Sequence, residues 1–251
     1  MQQIIVMAAG RGTRMKSELP KVLVPLKGRP MLDYLLGSIS KTAQALKPII
    51  IVSPDNKEVI AAALKKYDVQ YVIQEQQLGT GHAVASARNY IDPRATDIFV
   101  LNGDHPFYKV ETIRDFPLKH QGILSMITVA LDNFEGWRSV FHHWGRVVRD
   151  KENNAQRIVE FKDAADHEKE ILEVNPNCFC FNKEWLFAHI DTLNNQNNQG
   201  EYYITDLVKI AFNEGHKVTT FSISPHEGVG VNSLEELQIA EDLLEFVEKN
   251  F

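Results

Sequence analysis

The chain has 251 residues, of which 44% are hydrophobic and 24% are charged, and its formal net charge is −6. These values are typical of a globular protein with a full core, built as one large α/β domain or two small ones. The negative charge argues against a general nucleic-acid-binding protein, which usually carries a basic surface. It still permits a small anionic ligand held by a few local cations.

The N-terminus and the cysteines predict a cytoplasmic protein without a membrane partner. The first predicted strand follows Met1 directly, without the charged and apolar regions of a signal peptide, and no apolar run reaches the roughly 18 residues of a membrane span. Cys178 and Cys180 alternate in a predicted strand, so both side chains lie on one face and are badly placed for a mutual disulfide. We expect reduced core cysteines rather than a metal site.

The first half of the chain alternates β-rich runs with helix-like stretches. Strands are predicted over residues 3–9, 47–55, 69–75 and 97–104, and helices over 30–43, 57–67 and 81–91. Such alternation predicts an α/β fold: a Rossmann-like mixed, mainly parallel sheet with right-handed crossovers and helices on both faces. Ligands of such sheets bind at the carboxyl ends of the strands. Two segments, the basic loop after the first strand and "NGDHP" after the fourth, fall on that edge.

The pattern changes from about residue 123, where predicted strands follow one another through polar loops. The strands are predicted over 123–131, 145–150, 155–161, 173–182 and 217–223, with an exposed loop or short helix over 161–173. Helices are predicted over 183–195, 203–215 and 233–251. The last helix is amphipathic, with Leu234, Leu237, Ala240, Leu244 and Val247 at helical spacing. We find no internal repeat and no clear linker.

The absence of a linker favours a single domain over residues 1–251. It divides into an alternating α/β part over about 1–120, a strand-rich part over about 121–232 and a C-terminal helix over about 233–250. We leave its oligomeric state open.

Residues 7–23, "MAAGRGTRMKSELPKVL", combine glycines and basic side chains directly after the first strand. Glycines let backbone N–H groups turn towards a ligand, and arginine and lysine add positive charge, so the loop predicts an anion site. A dinucleotide fingerprint is a weak alternative, because Met15 stands where its third glycine belongs, and the P-loop pattern fails. A merely solvated loop is a further alternative. Lys21 between Pro20 and the apolar "VLVPL" argues against it.

The motifs in sequence order resemble those of the sugar-1-phosphate nucleotidyltransferases, most closely the uridylyltransferase part of bacterial N-acetylglucosamine-1-phosphate uridylyltransferase. The resemblance runs through "AAGRGTRMKSELPKVL", "QEQQLGTGHAV", "NGDHP", "WGRVVRD", "VEFKDA", "GEYYITD" and "GVNSLEEL". It implies a nucleotidyltransferase that joins UTP to a sugar 1-phosphate, with N-acetylglucosamine 1-phosphate favoured, and releases pyrophosphate. The substrates are then small molecules. The acetyltransferase repeats of the bifunctional relatives are not found in these residues.

The resemblance also implies a role for each matching residue. Arg14 and Lys21 are the catalytic cations, and Mg²⁺ is held by Asp104 and Asn232. Few protein ligands suit Mg²⁺, because it keeps water and phosphate oxygens around it. The implied nucleotide-binding residues are Ala8, Ala9, Gly10, Gly12, Lys21, Gln74, Gly79, Thr80, Asn102, Gly103 and Asp104. The implied acceptor contacts are Gly145, Glu160, Asn175, Tyr203 and Thr205, whose amide, carboxylate and hydroxyl groups suit a sugar.

Three departures from the family pattern all fall near the acceptor. Asn102 and His105 stand where an aromatic and an aliphatic residue are more usual, and Pro176-Asn177 replaces Thr-Gly. The stretch "NFEGWRSVFHHWGRV" is longer than the family's short connection. Another sugar phosphate therefore stays open, as does dTTP in place of UTP. A non-catalytic protein that binds a nucleotide sugar and regulates a partner is the alternative from a different class.

Overall fold

Ten strands form one mixed sheet in the computed structural model, which describes residues 1–10 and 12–250. The strands are β1 Gln2–Met7, β4 Ile49–Val52, β5 Gln70–Ile73, β6 Asp97–Asn102, β7 Leu124–Ala130, β8 Gly145–Arg149, β9 Ala155–Val159, β10 Glu173–Asn175, β11 Phe179–Asn182 and β12 Thr219–Ile223, with a separate hairpin of β2 Pro25–Leu26 and β3 Arg29–Pro30. Strands β1, β4, β5 and β6 pair in parallel, in the order β5-β4-β1-β6. The second half is mainly antiparallel, although β12 pairs in parallel with β7.

The helices cover both faces of the sheet. They are α1 Met31–Ser40, α2 Lys57–Ala63, α3 Thr80–Ser86, α4 Val110–Leu118, α5 Asp166–Lys169, α6 Lys183–His189, α7 Asp206–Asn213, α8 Pro225–Gly228 and α9 Leu234–Asn250. Short 3₁₀ turns lie at Thr13–Met15, Lys21–Leu23, Arg88–Tyr90, Gly136–Phe141 and Ile190–Thr192. No helix among the described residues is long and apolar enough to cross a membrane.

Alternation along the parallel strands explains why both faces are covered. In β1, Ile4 and Val6 pack in one core cluster with α1, α2 and α4, whereas Ile5 packs in the opposite cluster with α3, α6 and α7. Successive side chains of a strand point to opposite faces, so a strand that is apolar throughout needs cover on both. Each such fully buried side chain contributes roughly 1.5–3 kcal/mol to the stability of the folded state. Cys178 and Cys180 are free thiols buried in the first of these clusters.

The prediction of one continuous strand over residues 173–182 is wrong in its middle. Five residue steps separate Val174 from Phe179, but only three separate their partners Val129 and Met126 on β7. The two extra residues break the strand into β10 and β11, which continue along the same side of β7. Beyond them, β10 pairs with β8 and β11 pairs with β6. The break therefore lies where the parallel half of the sheet meets the antiparallel half.

Three smaller differences from prediction have local causes. Helix α4 was not predicted, because only Ile113, Phe116 and Pro117 of its nine residues are buried and Pro117 interrupts the pattern. The loop over 161–173 is not exposed throughout, since Glu168 is buried and carries an ion pair to Arg157. In α9 the predicted apolar face begins later than expected, because Leu234 is 50% exposed. The side chain of Val247 lies outside the described part.

Candidate active site

The ends of β1 and β6 bring two of the predicted motifs together. Met7 and Asn102 are register partners in the parallel pair, and Gly103 N–H donates to the Met7 carbonyl at 2.9 Å. The glycine loop that leaves β1 and the acidic turn that leaves β6 therefore share one edge. Gly103 itself packs under this junction against Met7 and Val22. It therefore lines neither of the two cavities at this edge of the sheet.

Lys21 reaches from the glycine loop to the acidic turn. Its Nζ donates to Asp104 Oδ2 and, at 3.0 Å, to Asn232 Oδ1. The backbone of Lys21 begins a 3₁₀ turn whose next residues, Val22 and Leu23, are buried. The interpretation of Lys21 as a freely solvated side chain is therefore wrong, because its ammonium has two fixed partners.

Gly12 lets the loop fold tightly against Lys21. Its φ is +59°, a left-handed conformation that favours glycine, and a Cβ there would lie 2.5 Å from Lys21 Cβ. Any side chain at this position would push the lysine stem away from Asp104. The glycine therefore helps to position the cation.

Asn232 comes to the site through a backbone tether. The N–H of Val231 donates to the Asp104 carbonyl at 3.0 Å, and the N–H of Asn232 donates to Glu236 Oε2 at 2.6 Å. Glu236 lies in the first turn of α9, so the start of that helix fixes the amide beside the carboxylate. Asp104 Oδ2 and Asn232 Oδ1 thus both face one point, and the Lys21 ammonium occupies it.

The donor set suits Mg²⁺. It consists of one carboxylate and one amide oxygen, and the buried Asp104 Oδ1 has no hydrogen-bond partner. Within residues 1–10 and 12–250, no group of three or more His, Cys, Asp and Glu side chains could hold a metal by itself. A metal at Asp104 and Asn232 would therefore depend on oxygens from a ligand.

The charges around Asp104 favour its ionised form. Burial, the largest single effect, raises the pKa of Asp104, but the adjacent Lys21 ammonium, together with His105 and a backbone hydrogen bond, holds the pKa below its ordinary value. Burial lowers the pKa of His105, so this ring is neutral at pH 7. His105 Nε2 lies 3.6 Å from Asp104 Oδ1, and its ring packs against Tyr108 and Trp144.

Two cavities meet at this cluster, with volumes of about 600 and 510 Å³. We call them the loop cavity and the outer cavity. Of the predicted catalytic, nucleotide and metal residues, those that line the loop cavity are Ala8, Ala9, Gly10, Gly12, Arg14, Lys21, Gln74, Gly79, Thr80, Asn102, Asp104 and Asn232. The outer cavity is lined by Gly145, Glu160 and Asn175 of the predicted acceptor set. Six residues line both cavities and form their common wall: Arg14, Asn102, Asp104, Asn177, Gln199 and Asn232.

The far wall of the loop cavity is the glycine turn before α3. Gly79 has φ +109°, and a Cβ at this position would collide with the backbone of Tyr202. The Tyr202 N–H donates to the Leu78 carbonyl at 2.8 Å. Thr80 Oγ1 accepts the Ile204 N–H at 3.0 Å, and Gln74 Nε2 donates to the Gly79 carbonyl at 3.1 Å. Glycine permits this conformation and this close approach, so the backbone of the turn lies at the cavity.

Glu160 is an acidic group of the outer cavity, which Asp104 and Glu236 also line. Burial and the neighbouring carboxylates raise its pKa to about 7, although Thr205 Oγ1 donates to Glu160 Oε1 at 3.0 Å. Thr205 and Tyr203 are buried and line neither cavity. The Tyr203 hydroxyl accepts from Gln199 and donates to Asp163. The structure thus places both residues behind the lining, and direct acceptor contacts by them stay a prediction.

The strand break between β10 and β11 forms another wall of the outer cavity. Asn175 Nδ2 donates to the Ile127 carbonyl and its Oδ1 accepts the Asn177 N–H, each at 2.9 Å. Asn177 has φ +57°, which asparagine tolerates better than most residues, and it lines both cavities. The Pro176-Asn177 departure therefore changes the junction of the cavities rather than a distant loop.

The long connection before β8 covers the outer cavity. Arg146 is fully buried and donates to the carbonyls of Phe141, His142, Trp144 and Lys169. Burial without a carboxylate hydrogen-bond partner lowers its pKa to about 10, so the guanidinium stays charged. These bonds hold the backbone that carries His143 and Trp144 into the cavity lining.

Sequence reasoning missed several lining residues. Those of the outer cavity are His143, Trp144, Phe161, Lys162, Gln199 and Glu236, and those of the loop cavity are Gln77, Gln199 and Glu201. His143, Trp144, Phe161 and Lys162 adjoin recognised motifs, so the neighbours of Gly145 and Glu160 offered a usable signal. Gln199 lies in the polar run "NNQNNQG", where no pattern distinguishes one amide from the next.

The profile of the MobA-like NTP transferase domain matches residues 4–199, which carry most of both cavities. The chain belongs to the MobA-like NTP transferase family. The matched residues are those of an NTP transferase domain. The family assignment agrees with a glycine loop, a cation and an acidic turn gathered at one edge of a Rossmann-like sheet.

Relatives of this MobA-like NTP transferase confirm the resemblance. The bifunctional protein GlmU of Clostridium novyi is 37% identical over 243 residues, which cover 96% of this chain and 51% of that protein. GlmU of Burkholderia vietnamiensis is 40% identical over 238 residues, which cover 93% of this chain and 50% of that protein. The chain thus spans about half the length of these curated relatives.

A solved structure confirms the fold of this MobA-like NTP transferase. The crystal structure of 4-diphosphocytidyl-2C-methyl-D-erythritol synthase from Anaerococcus prevotii matches with a TM-score of 0.68. The match covers 98% of this chain and 96% of that one at 15% identity, so it bears on the fold alone.

Proposed function

We propose that this chain transfers a uridylyl group from UTP to a sugar 1-phosphate, with N-acetylglucosamine 1-phosphate as the favoured acceptor, and releases pyrophosphate. The observation that carries the proposal is the common wall of the two cavities. Arg14, Asp104 and Asn232 face both spaces, so two ligands would meet at these groups. The similarity to GlmU supports this choice of substrates.

The reaction needs little covalent chemistry from the protein. An acceptor phosphate oxygen attacks the α-phosphorus, the bond from the α-phosphorus to the bridging oxygen breaks, and pyrophosphate leaves with that electron pair. Two anions must be held in line while charge shifts to the leaving group. Lys21 and Arg14 would offset that charge, and the backbone around Gly10 and Gly12 would hold the triphosphate. Mg²⁺ held by Asp104 and Asn232 would supply further charge neutralisation.

The acceptor would occupy the outer cavity. Glu160 and the backbone at Gly145 line it and can pair with sugar hydroxyls, while Thr205 fixes the carboxyl from behind. The aromatic rings of Trp144 and Phe161 offer apolar surface for the face of a sugar ring. This lining suits a neutral sugar with several hydroxyl groups.

The decisive experiment is a pyrophosphate-release screen. UTP, dTTP, CTP, ATP and GTP are each tested against a panel of sugar 1-phosphates with Mg²⁺. Turnover that is fastest with UTP and one sugar 1-phosphate, with a nucleotide sugar as product, supports the proposal. Binding of a nucleotide sugar without any turnover would favour the non-catalytic regulatory alternative.

We expect UTP to be the best nucleotide in that screen. Gln74 and the backbone at Gly79 and Thr80 form a close wall suited to a pyrimidine. Because the thymine base of dTTP differs from uracil by one methyl group, discrimination at the base is limited to about 10- to 200-fold in kcat/KM. Purine nucleotides need a wider slot and should be slower. Equal or higher kcat/KM with ATP or GTP would refute the uracil assignment.

The acceptor KM should depend on Glu160 through pH. The pKa of its carboxyl is about 7, and the ionised form accepts hydrogen bonds from sugar hydroxyls. We therefore expect acceptor affinity to rise as pH increases from 6 to 8, beyond the change due to the acceptor's own phosphate, whose second pKa is about 6. Steady-state kinetics across this range measure the effect.

Glu160→Gln is the matched control for that profile. It retains the hydrogen bond from Thr205 and the titration of the acceptor phosphate, but it cannot ionise. The difference between the two profiles isolates the carboxyl. Identical profiles for both proteins would contradict a role of the ionised Glu160 in acceptor binding.

A further inference from the structure

Two oxygens that would hold a metal, one on Asp104 and one on Asn232, already accept hydrogen bonds from Lys21. Lys21 Nζ donates to Asp104 Oδ2 and to Asn232 Oδ1, the latter at 3.0 Å. The ammonium occupies the point from which a divalent cation would contact both of these oxygens, so the two cannot occupy this point together. Lys21 and a metal therefore exclude each other here.

The side chain of Lys21 has one well-defined position, whereas an exposed lysine side chain adopts many. Its side chain is 17% exposed and that of Asp104 is 8% exposed, so little water screens the ion pair. The stem is held by the 3₁₀ turn at Lys21–Leu23 and by the backbone of Gly12. Only the outer part of the side chain is left to move.

A nearby space can receive the displaced ammonium. Lys21 also lines the loop cavity, next to Gly10 and Gly12, where the triphosphate would lie. The single charge of Asp104 is already balanced by Lys21, which leaves a lone divalent cation little electrostatic attraction. A bound triphosphate would present several negative charges to Lys21 and would add oxygens to the metal site.

We propose that Lys21 closes the metal site of the free protein and opens it when a nucleoside triphosphate binds. The proposal rests on the metal assignment within the proposed function. It gives one side chain two successive partners: first the metal ligands Asp104 and Asn232, then the phosphates. Free divalent cation would not bind appreciably, and metal would be taken up together with the nucleotide.

Metal binding, rather than activity, tests this proposal. Mn²⁺ serves as the probe, and water-proton relaxation distinguishes Mn²⁺ on the protein from Mn²⁺ in solution or on free UTP. We expect wild-type protein alone to bind Mn²⁺ weakly, and Lys21→Met to bind it at least tenfold more tightly without nucleotide. Thermal melting should agree, with Mn²⁺ raising Tm of Lys21→Met and not that of the wild type.

Two controls and one replacement variant make the result specific. Lys21→Met combined with Asp104→Asn should lose the gained affinity, and Lys21→Arg, which retains the charge, should exclude Mn²⁺ as wild type does. Lys21→Gln replaces Lys21→Met if the latter does not fold. Equal Mn²⁺ affinity of wild type and Lys21→Met, both without nucleotide, would overturn the closing role of Lys21 while leaving the proposed function intact. Absence of Mn²⁺ binding in both Lys21→Met and wild type with UTP would instead refute the metal assignment and, with it, the inference.

Discussion

Asp104→Asn is expected to lower kcat by about three orders of magnitude, the largest effect of any single substitution in this chain. The asparagine retains the size and one oxygen of the side chain but removes the negative charge at the common wall of the two cavities. If that charge holds a divalent cation, its loss weakens transition-state stabilisation by on the order of 4 kcal/mol, and each 1.4 kcal/mol is a factor of ten in rate. Initial rates at several Mg²⁺ concentrations measure this.

The fold of the Asp104→Asn variant must be checked, because the substitution leaves Lys21 without a counter-charge in a poorly hydrated place. Circular dichroism and Tm supply the check. Asp115→Asn is a matched control, since Asp115 pairs with Arg114 on the outer surface of α4, away from both cavities. Near-normal turnover of a folded Asp104→Asn protein at limiting Mg²⁺ would refute the metal assignment.

Lys21→Ala is expected to lower kcat by roughly 10²- to 10³-fold, the range found when one transition-state donor is removed. The negative charge on the departing pyrophosphate is larger in the transition state than in the bound substrate, so a cation directed at it acts mainly on kcat. The KM for the nucleotide should change much less. Steady-state kinetics at saturating Mg²⁺ separate the two parameters.

Lys47→Ala is the control for Lys21→Ala. Lys47 pairs with Asp68 in a far more exposed setting and lines neither site cavity, so its loss should leave kcat unchanged. Lys21→Arg should recover part of the rate, because it restores the charge with a different shape. If folded Lys21→Ala showed an unchanged kcat, the lysine would have only a structural role.

Local sequence patterns were sufficient for the parallel half of the sheet. The runs around Ile4, Ile50 and Phe99 are apolar on both faces, and the stretches between them have the length of single helices. Strands joined in this way must lie parallel, and their carboxyl ends must share an edge. The meeting of the glycine loop with Asp104 follows from that rule alone, since both follow such strands directly.

Contacts between distant segments decided the features that local sequence patterns did not predict. No local pattern places Asn232 beside Asp104; a backbone bond from Val231 and the first turn of α9 do so. The break at Pro176-Asn177 exists because one strand must follow β7 while its other neighbour changes from β8 to β6.

The sequence by itself determined which side chains could serve a phosphate, because strand ends and loop composition are local properties of the chain. Only the tertiary structure decided what those side chains contact. Lys21 lies between Asp104 and Asn232, and Thr205 lies behind Glu160 rather than in the cavity. Such distances depend on the packing of segments that are 45 to 211 residues apart in the chain, and no local pattern encodes that packing.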